Sequence, residues 1–221
     1  RVPTATISSQ FAGFTNANPD VDDNVNVIGF RTRADLERTL GATSLVIDDT
    51  TGQLMESDIF LNAAFDWSVA SAGQSGRFDV QSIVTHELGH LLGLGHSGLG
   101  ETEIRPTGGR RVLGKQAVMF PIAFISGNVD DRTPKADDIA GMGEVYTSTA
   151  FSRQYGQITG KVTMNGKGLF GAHLTAFNPV TGDLVSGFSL NKQGGFTIGG
   201  LAPGLYVVRV EPLDDADTDS F

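Results

Sequence analysis

The stretch His86-Glu87-Leu88-Gly89-His90-Leu91-Leu92-Gly93-Leu94-Gly95-His96 decides how this chain is read. Its pattern is H-E-x-x-H-x-x-G-x-x-H. On a helix, positions i and i+4 lie one above the other on one face, so His86 and His90 can grip one ion from one side. Gly93 can take the left-handed backbone conformation that ends a helix. The chain then turns back, and His96 can reach the same ion. Three nitrogens binding at about 2.0–2.1 Å leave one position open for water, which is the arrangement of a catalytic rather than a structural zinc. Glu87 then stands beside that water as the candidate general base. The chain has four histidines, and three of them are in this motif. The fourth, His173, lies far downstream in a strand-like run and reads as a core residue.

The flanks read as a helix. Asp79 suits the N-cap, and Val80, Ile83, Val84, Leu88, Leu91 and Leu92 follow at helical spacing. These apolar residues are expected in the core, where they hold the ligand face rigid.

With its third histidine, the motif resembles that of the metzincin zinc proteases, and Ser97 directly after His96 resembles the matrixin branch. Ala117-Val118-Met119-Phe120-Pro121 is similar to that family's Met-turn. The resemblance implies that Met119 forms an apolar floor beneath the imidazoles, with Gly93, Ser97 and Pro121 as structural support. Asp137-Asp138-Ile139-Ala140-Gly141 resembles the start of the family's C-terminal helix. Asp138 would then hydrogen-bond near the Met-turn, and Asp137 would pair with a mature N-terminal amine. Simple helix N-capping is the other reading of both acids.

Three features depart from the family pattern. The stretch from His96 to Met119 is rich in Gly and Arg, so the wall of the specificity pocket is not readable by analogy. Its Arg105, Arg110, Arg111 and Lys115 read as a solvated loop in preference to a pocket for acidic residues. The aromatic after Pro121 is Phe124, one position later than in matrixins. Finally, only a loop-like stretch, Arg1 to Asp23, precedes Val25–Phe30, which resembles the family's third strand. The chain is therefore expected to be an internal fragment whose N-terminal part is incomplete.

Composition sets bounds. At 221 residues the chain can be one large domain or two modest ones, and its 39% apolar content can bury a sizeable core. A net charge of -9 argues against binding nucleic acid or anionic membrane through bulk electrostatics. No apolar run is long enough to span a bilayer. With no cysteine, disulfides and thiolate metal sites are excluded.

Along the chain, Arg31–Leu40 is a short charged segment with helical character. Thr43–Asp48 and Asp58–Asn62 read as strands. By resemblance, Thr43–Asp48 is the exposed edge above a cleft, where an extended peptide could add as one more strand; an ordinary paired strand is the alternative. Residues Thr147–Tyr155 read as a linker. Beyond it, short β-rich runs alternate with Gly, Asn and Pro turns: Gln157–Met164, Ala172–Asn178, Gly187–Leu190, Phe196–Ile198 and Tyr206–Val210. Regularly spaced short strands suggest a small β-sandwich. The run Gly194–Tyr206 resembles the carboxypeptidase regulatory-like family, which has a transthyretin-like sandwich fold. The acidic runs Asp20–Asn24 and Asp214–Asp219 could hold a structural calcium, but read better as solvated linkers.

The expected fold is α+β. A matrixin-like catalytic domain at 1–150, with a twisted mixed sheet and an active-site helix, precedes a β-sandwich at 151–213 and an acidic tail at 214–221. The expected activity is that of a zinc-dependent endopeptidase. Zinc is bound by His86, His90 and His96, Glu87 is general base and acid, and the partner is a protein or peptide substrate. A secreted or cell-surface location follows from the resemblance alone, and the sequence does not fix an oligomeric state. The alternative is a non-catalytic adhesion or binding protein on the same scaffold. Such a protein usually loses the glutamate or a ligand, and this chain keeps both.

Overall fold

The structure is a computed structural model that describes residues 12–15, 18–19, 22–33, 36, 38–106, 110–123 and 125–212. Asp20, Phe124 and the tail 214–221 lie outside the described residues. The described chain divides into two compact units, residues 12–93 with 125–133 and residues 94–123 with 134–212. It mixes strands with few helices.

In the first unit, β1 (Ile28–Arg31), β2 (Gly41–Ile47) and β3 (Leu54–Asn62) form a sheet in the order β1-β3-β2. β1 runs parallel to β3, with Ile28 opposite Ile59, and β2 runs antiparallel, with Thr43 opposite the same Ile59. β3 is paired along both edges, and every residue from Glu56 to Asn62 is buried. The strand read at Asp58–Asn62 is only its second half. Glu56, Ser57 and Asp58 break the apolar run, and their polar groups serve the chain ahead of β1. Glu56 accepts the amides of Asp23 and Asn24. Asp58 accepts the Val27 amide at 2.8 Å, and the Ser57 amide donates to the Asn26 side chain at 2.8 Å.

The described residues of the segment 31–40 form no helix. Asn62, fully buried at the end of β3, donates its side-chain amide to the carbonyls of Leu36 (3.0 Å) and Thr39 (3.1 Å). A helix would direct those carbonyls to its own N–H groups.

β4 (Trp67–Ser68) and β5 (Phe78–Asp79) make a short parallel pair. Trp67 meets Phe30 edge-on at 5.7 Å between ring centroids, and its indole N–H donates to the Asn62 carbonyl. Helix α1 (Val80–Leu91) follows directly. The Asp79 carboxylate caps it, accepting the amide and hydroxyl of Ser82 at 2.9 and 2.8 Å. Arg132, in the 3-10 turn Asp130–Arg132, grips both oxygens of the same carboxylate and donates to the carbonyls of Ala70 and Ser71. The fully buried positions of α1 are Ser82, Glu87 and Gly89. Leu88, expected in the core, is 38% exposed. Small residues let the helix lie close to its neighbours, so its buried face is not its most apolar one.

The second unit begins with an irregular segment. A hairpin of β6 (Gly100–Ile104) and β7 (Arg110–Lys115) then occupies the stretch read as a solvated loop. Helix α2 (Ala136–Val145) is followed by α3 (Thr149–Gln154), which takes the place of the expected linker. The cause is local, because Ser148 accepts the Phe151 amide at 3.0 Å and so caps a helical turn. The strands that follow are β8 (Gly156–Lys161), β9 (Thr163–Met164), β10 (Lys167–Gly168), β11 (His173–Phe177), β12 (Leu184–Phe188), β13 (Gly195–Leu201) and β14 (Val207–Glu211). They pair as β12-β11-β14, β13-β8 and β10-β9, all antiparallel. Leu174, Ala176, Val185, Ile198 and Leu201 share one core with Ala140 of α2. His173 is buried against the Phe188 ring, and burial holds its imidazole below the usual value despite Glu211 nearby.

Asp79 supplies a test of this anchoring. Burial pushes its carboxyl up, but the hydrogen bonds from Arg132 and Ser82 outweigh burial and hold it below the ordinary 3.8. A depressed folded value means that its contribution is complete above the unfolded value and is lost as pH falls through the folded one. Asp79→Ala is expected to lower stability at neutral pH by at least the roughly 1–2 kcal/mol of a lost cap. The gap to wild type in urea unfolding should narrow as pH falls well below 3.8. A gap that stays constant would show that the charge is not its source.

Candidate metal centre

The end of α1 sets the site. Leu92 and Gly93 donate to the carbonyls of Leu88 (3.0 Å) and His90 (2.9 Å), and Gly93 has φ +91°, a conformation open to glycine and strained for other residues. Within α1 the Nε2 atoms of His86 and His90 face each other at 3.1 Å, with their rings nearly perpendicular. Two nitrogens held by one tetrahedral zinc stand about 3.3 Å apart, so this pair fits the ion closely. His96 follows on the irregular run after Gly93. The ligand atoms of His86, His90 and His96, all within eleven consecutive residues, lie within 4.8 Å of one another. Among the described residues no other group of three His, Asp or Glu side chains is so placed. All three imidazoles are half-buried. Nitrogen donors of this number and spacing suit zinc.

Glu87 is 4% exposed. Its Oε2 accepts the hydroxyl of Thr43 on β2 at 2.8 Å, and the same hydroxyl lies 2.9 Å from the Glu87 carbonyl. Two positions earlier, a side chain at Gly41 would crowd Ile83, the Phe60 carbonyl and the Glu87 carboxylate, all within 3.0–3.2 Å. β2 thus presses on α1 at the carboxylate. Sequence reading missed Thr43, because nothing local marks which strand residue meets a helix 44 positions later.

In the second unit, Ala117, Val118, Met119 and Phe120 are all buried, and Pro121 is half-buried. The Met119 carbonyl accepts the Ser97 amide at 2.9 Å. Asp138, at the start of α2, accepts the amides of Val118 (2.9 Å), Met119 (3.0 Å) and Lys135 (2.7 Å). One carboxylate therefore caps its own helix and pins the turn that holds Met119. Asp137 accepts the Ser97 hydroxyl at 2.5 Å, and the amide and hydroxyl of Ser186 at 2.7 and 3.0 Å. The resemblance implied an N-terminal amine for Asp137. Arg1 lies outside the described residues, and the donors seen at Asp137 are these two serines. Burial, and to a lesser degree the charge of Asp138, push its carboxyl above the ordinary range, against the pull of those hydrogen bonds.

Comparison with known proteins points the same way. The Matrixin family model matches residues 20–107. Over 95 residues the chain is 32% identical to the metalloendoproteinase 5-MMP of Arabidopsis thaliana, which covers 40% of this chain and 22% of that protein. The match thus spans about a fifth of the relative's length. No solved structure matches significantly. The similarities are to metallopeptidases at the level of family, and each covers less than half of this chain. No described helix is long and apolar enough to cross a membrane.

Replacing Asp138 with Ala would strand two buried amides. At about 1–3 kcal/mol for each unsatisfied donor, a loss of at least roughly 2 kcal/mol is expected in chemical denaturation. A change below about 0.5 kcal/mol would mean that the turn is held by packing alone.

Proposed function

We propose that this chain carries the catalytic site of a zinc-dependent endopeptidase that hydrolyses peptide bonds of proteins. The observation that carries this reading is the convergence of His86, His90 and His96, with the buried Glu87 next to His86 on the same helix. When bound, zinc supplies Lewis acidity that activates a water and polarises the scissile carbonyl. Glu87 takes the proton from that water and returns it to the leaving amine. The Thr43 hydroxyl holds one carboxylate oxygen, which restricts the rotation of Glu87. Met119 serves as the apolar floor of the site, with Gly93, Ser97, Pro121 and Asp138 as its support.

The open edge of β2 is the proposed docking strand for an extended substrate. It ends the sheet order, so its outward amides and carbonyls have no strand partner among the described residues. Residues 1–150 are proposed as the catalytic domain and 151–213 as a β-sandwich. The two antiparallel sheets built on β11 and β13, and the core they share, support the second assignment. A secreted or cell-surface location is proposed from the similarity to matrixins.

Elemental analysis combined with a casein digest tests the reading. About one zinc per chain is expected, with Glu87→Ala retaining the metal and losing at least about 100-fold in cleavage rate. Stoichiometric zinc without cleavage would favour the non-catalytic binding protein. Folded protein that takes up no zinc would overturn both. Thr43→Val keeps the strand and removes the hydroxyl. It should lower kcat about tenfold with little change in KM, whereas Thr43→Ser should stay near wild type. Equal rates for all three would remove Thr43 from the mechanism.

A further inference from the structure

We infer that Ser186, on strand β12, is a positioning residue for the third histidine and acts through Asp137 and Ser97. The inference rests on the zinc reading and extends it into the β-rich part of the chain. His96 lies in a run, residues 94–99, with no regular secondary structure. Its neighbour Ser97 is heavily tied. The Ser97 amide donates to Met119, its hydroxyl donates to Asp137, and its oxygen also accepts the Leu99 amide at 3.2 Å. Asp137 is held in turn by the amide and hydroxyl of Ser186. β12 ends the sheet order β12-β11-β14, and the Asp137 carboxylate takes up the Ser186 amide on that outer edge. A chain of hydrogen bonds therefore runs from a sheet edge, through the half-buried Asp137 carboxylate, to the residue beside His96.

Packing around His96 itself is incomplete. A cavity of about 290 Å³ lies within this unit, lined by His96, Ser97, Met119, Asp137, Ser186 and Phe188 among others. With open space on one side of His96, directional bonds add to the contacts that its buried neighbours Ser97, Gly98 and Leu99 make. Neighbours that orient a metal-binding histidine typically change metal affinity about 10–100-fold when removed.

The test measures zinc affinity of the full chain by competition with a chelating dye, well below the thermal midpoint, using zinc alone as the probe. Asp137→Ala is expected to weaken zinc binding about tenfold or more, and Ser186→Ala, which loses the hydroxyl bond but keeps the amide bond, about fivefold. Ser186→Thr keeps the donor and should remain within about threefold of wild type, whereas Asp137→Asn keeps one acceptor oxygen and should fall between wild type and Asp137→Ala. A double-mutant cycle of Ser186→Ala with Ser97→Ala should be clearly non-additive, since both hydroxyls act on the one carboxylate of Asp137. If Ser186→Ala lowers the thermal midpoint but leaves zinc affinity unchanged, or if the cycle is additive, Ser186 is a structural residue and the inference falls. If wild type and His96→Ala alike bind no zinc, the zinc reading itself fails. That result is distinct from tight binding shared by wild type and Ser186→Ala.

Discussion

The hydrogen bonds that Ser82 and Arg132 direct at the Asp79 carboxylate determine where α1 begins, and the left-handed turn at Gly93 determines where it stops. Two imidazoles four residues apart meet one point only inside an uninterrupted helix. A start shifted by one residue would rotate the ligand face by about 100° and carry Glu87 out of its contact with β2. Arg132 makes the start robust, because it joins the cap to the carbonyls of Ala70 and Ser71 as well. The pairing of a fixed start with a sharp stop gives the motif its geometry.

Much of the site was legible in the sequence because it is local. Eleven consecutive residues hold all three imidazoles and the carboxylate, and the capping acid and terminating glycine stand at the ends of the helix. Most of the longer strands were legible from short β-rich runs between turn residues, although β12 starts three residues before the run read at Gly187–Leu190 and the two-residue strands β4, β5 and β10 gave no such signal. What escaped was set by distant partners. Arg31–Leu40 looked helical until the Asn62 side chain claimed its carbonyls. Leu88 looked like core because periodicity records hydrophobicity, whereas the close approach of α1 favours the small Ser82 and Gly89. The hairpin of β6 and β7 was hidden by its arginines, which a surface ribbon can carry outward. The bonds of Asp137 to Ser97 and Ser186 span 40 and 49 positions, and no local pattern encodes such a pairing.

Acidic residues play an unusual part in this architecture. Read as a sequence, only the acidic runs Asp20–Asn24 and Asp214–Asp219 suggested solvated linkers or calcium ligands, whereas Asp79 and Asp138 read as helix caps. In the fold, Glu56, Asp58, Asp79 and Asp138 are buried, and each accepts backbone amides. They serve as rigid acceptors that stop irregular segments from leaving N–H groups unpaired, a need that grows wherever loop rather than sheet must be buried. The same property explains why one carboxylate can brace two elements: each oxygen has room for more than one donor.

The single tryptophan gives the molecule an internal reporter. Trp67 sits in the first unit, edge-on to Phe30, with its indole tied to the end of β3 and its strand pairing with the residues that lead into α1. The second unit contains tyrosines but no tryptophan. Tryptophan emission therefore follows the sheet and helix that carry His86 and Glu87, while far-ultraviolet dichroism averages over both units. Unfolding curves from the two signals would coincide if the units melt as one and separate if they do not, with no label or added probe required.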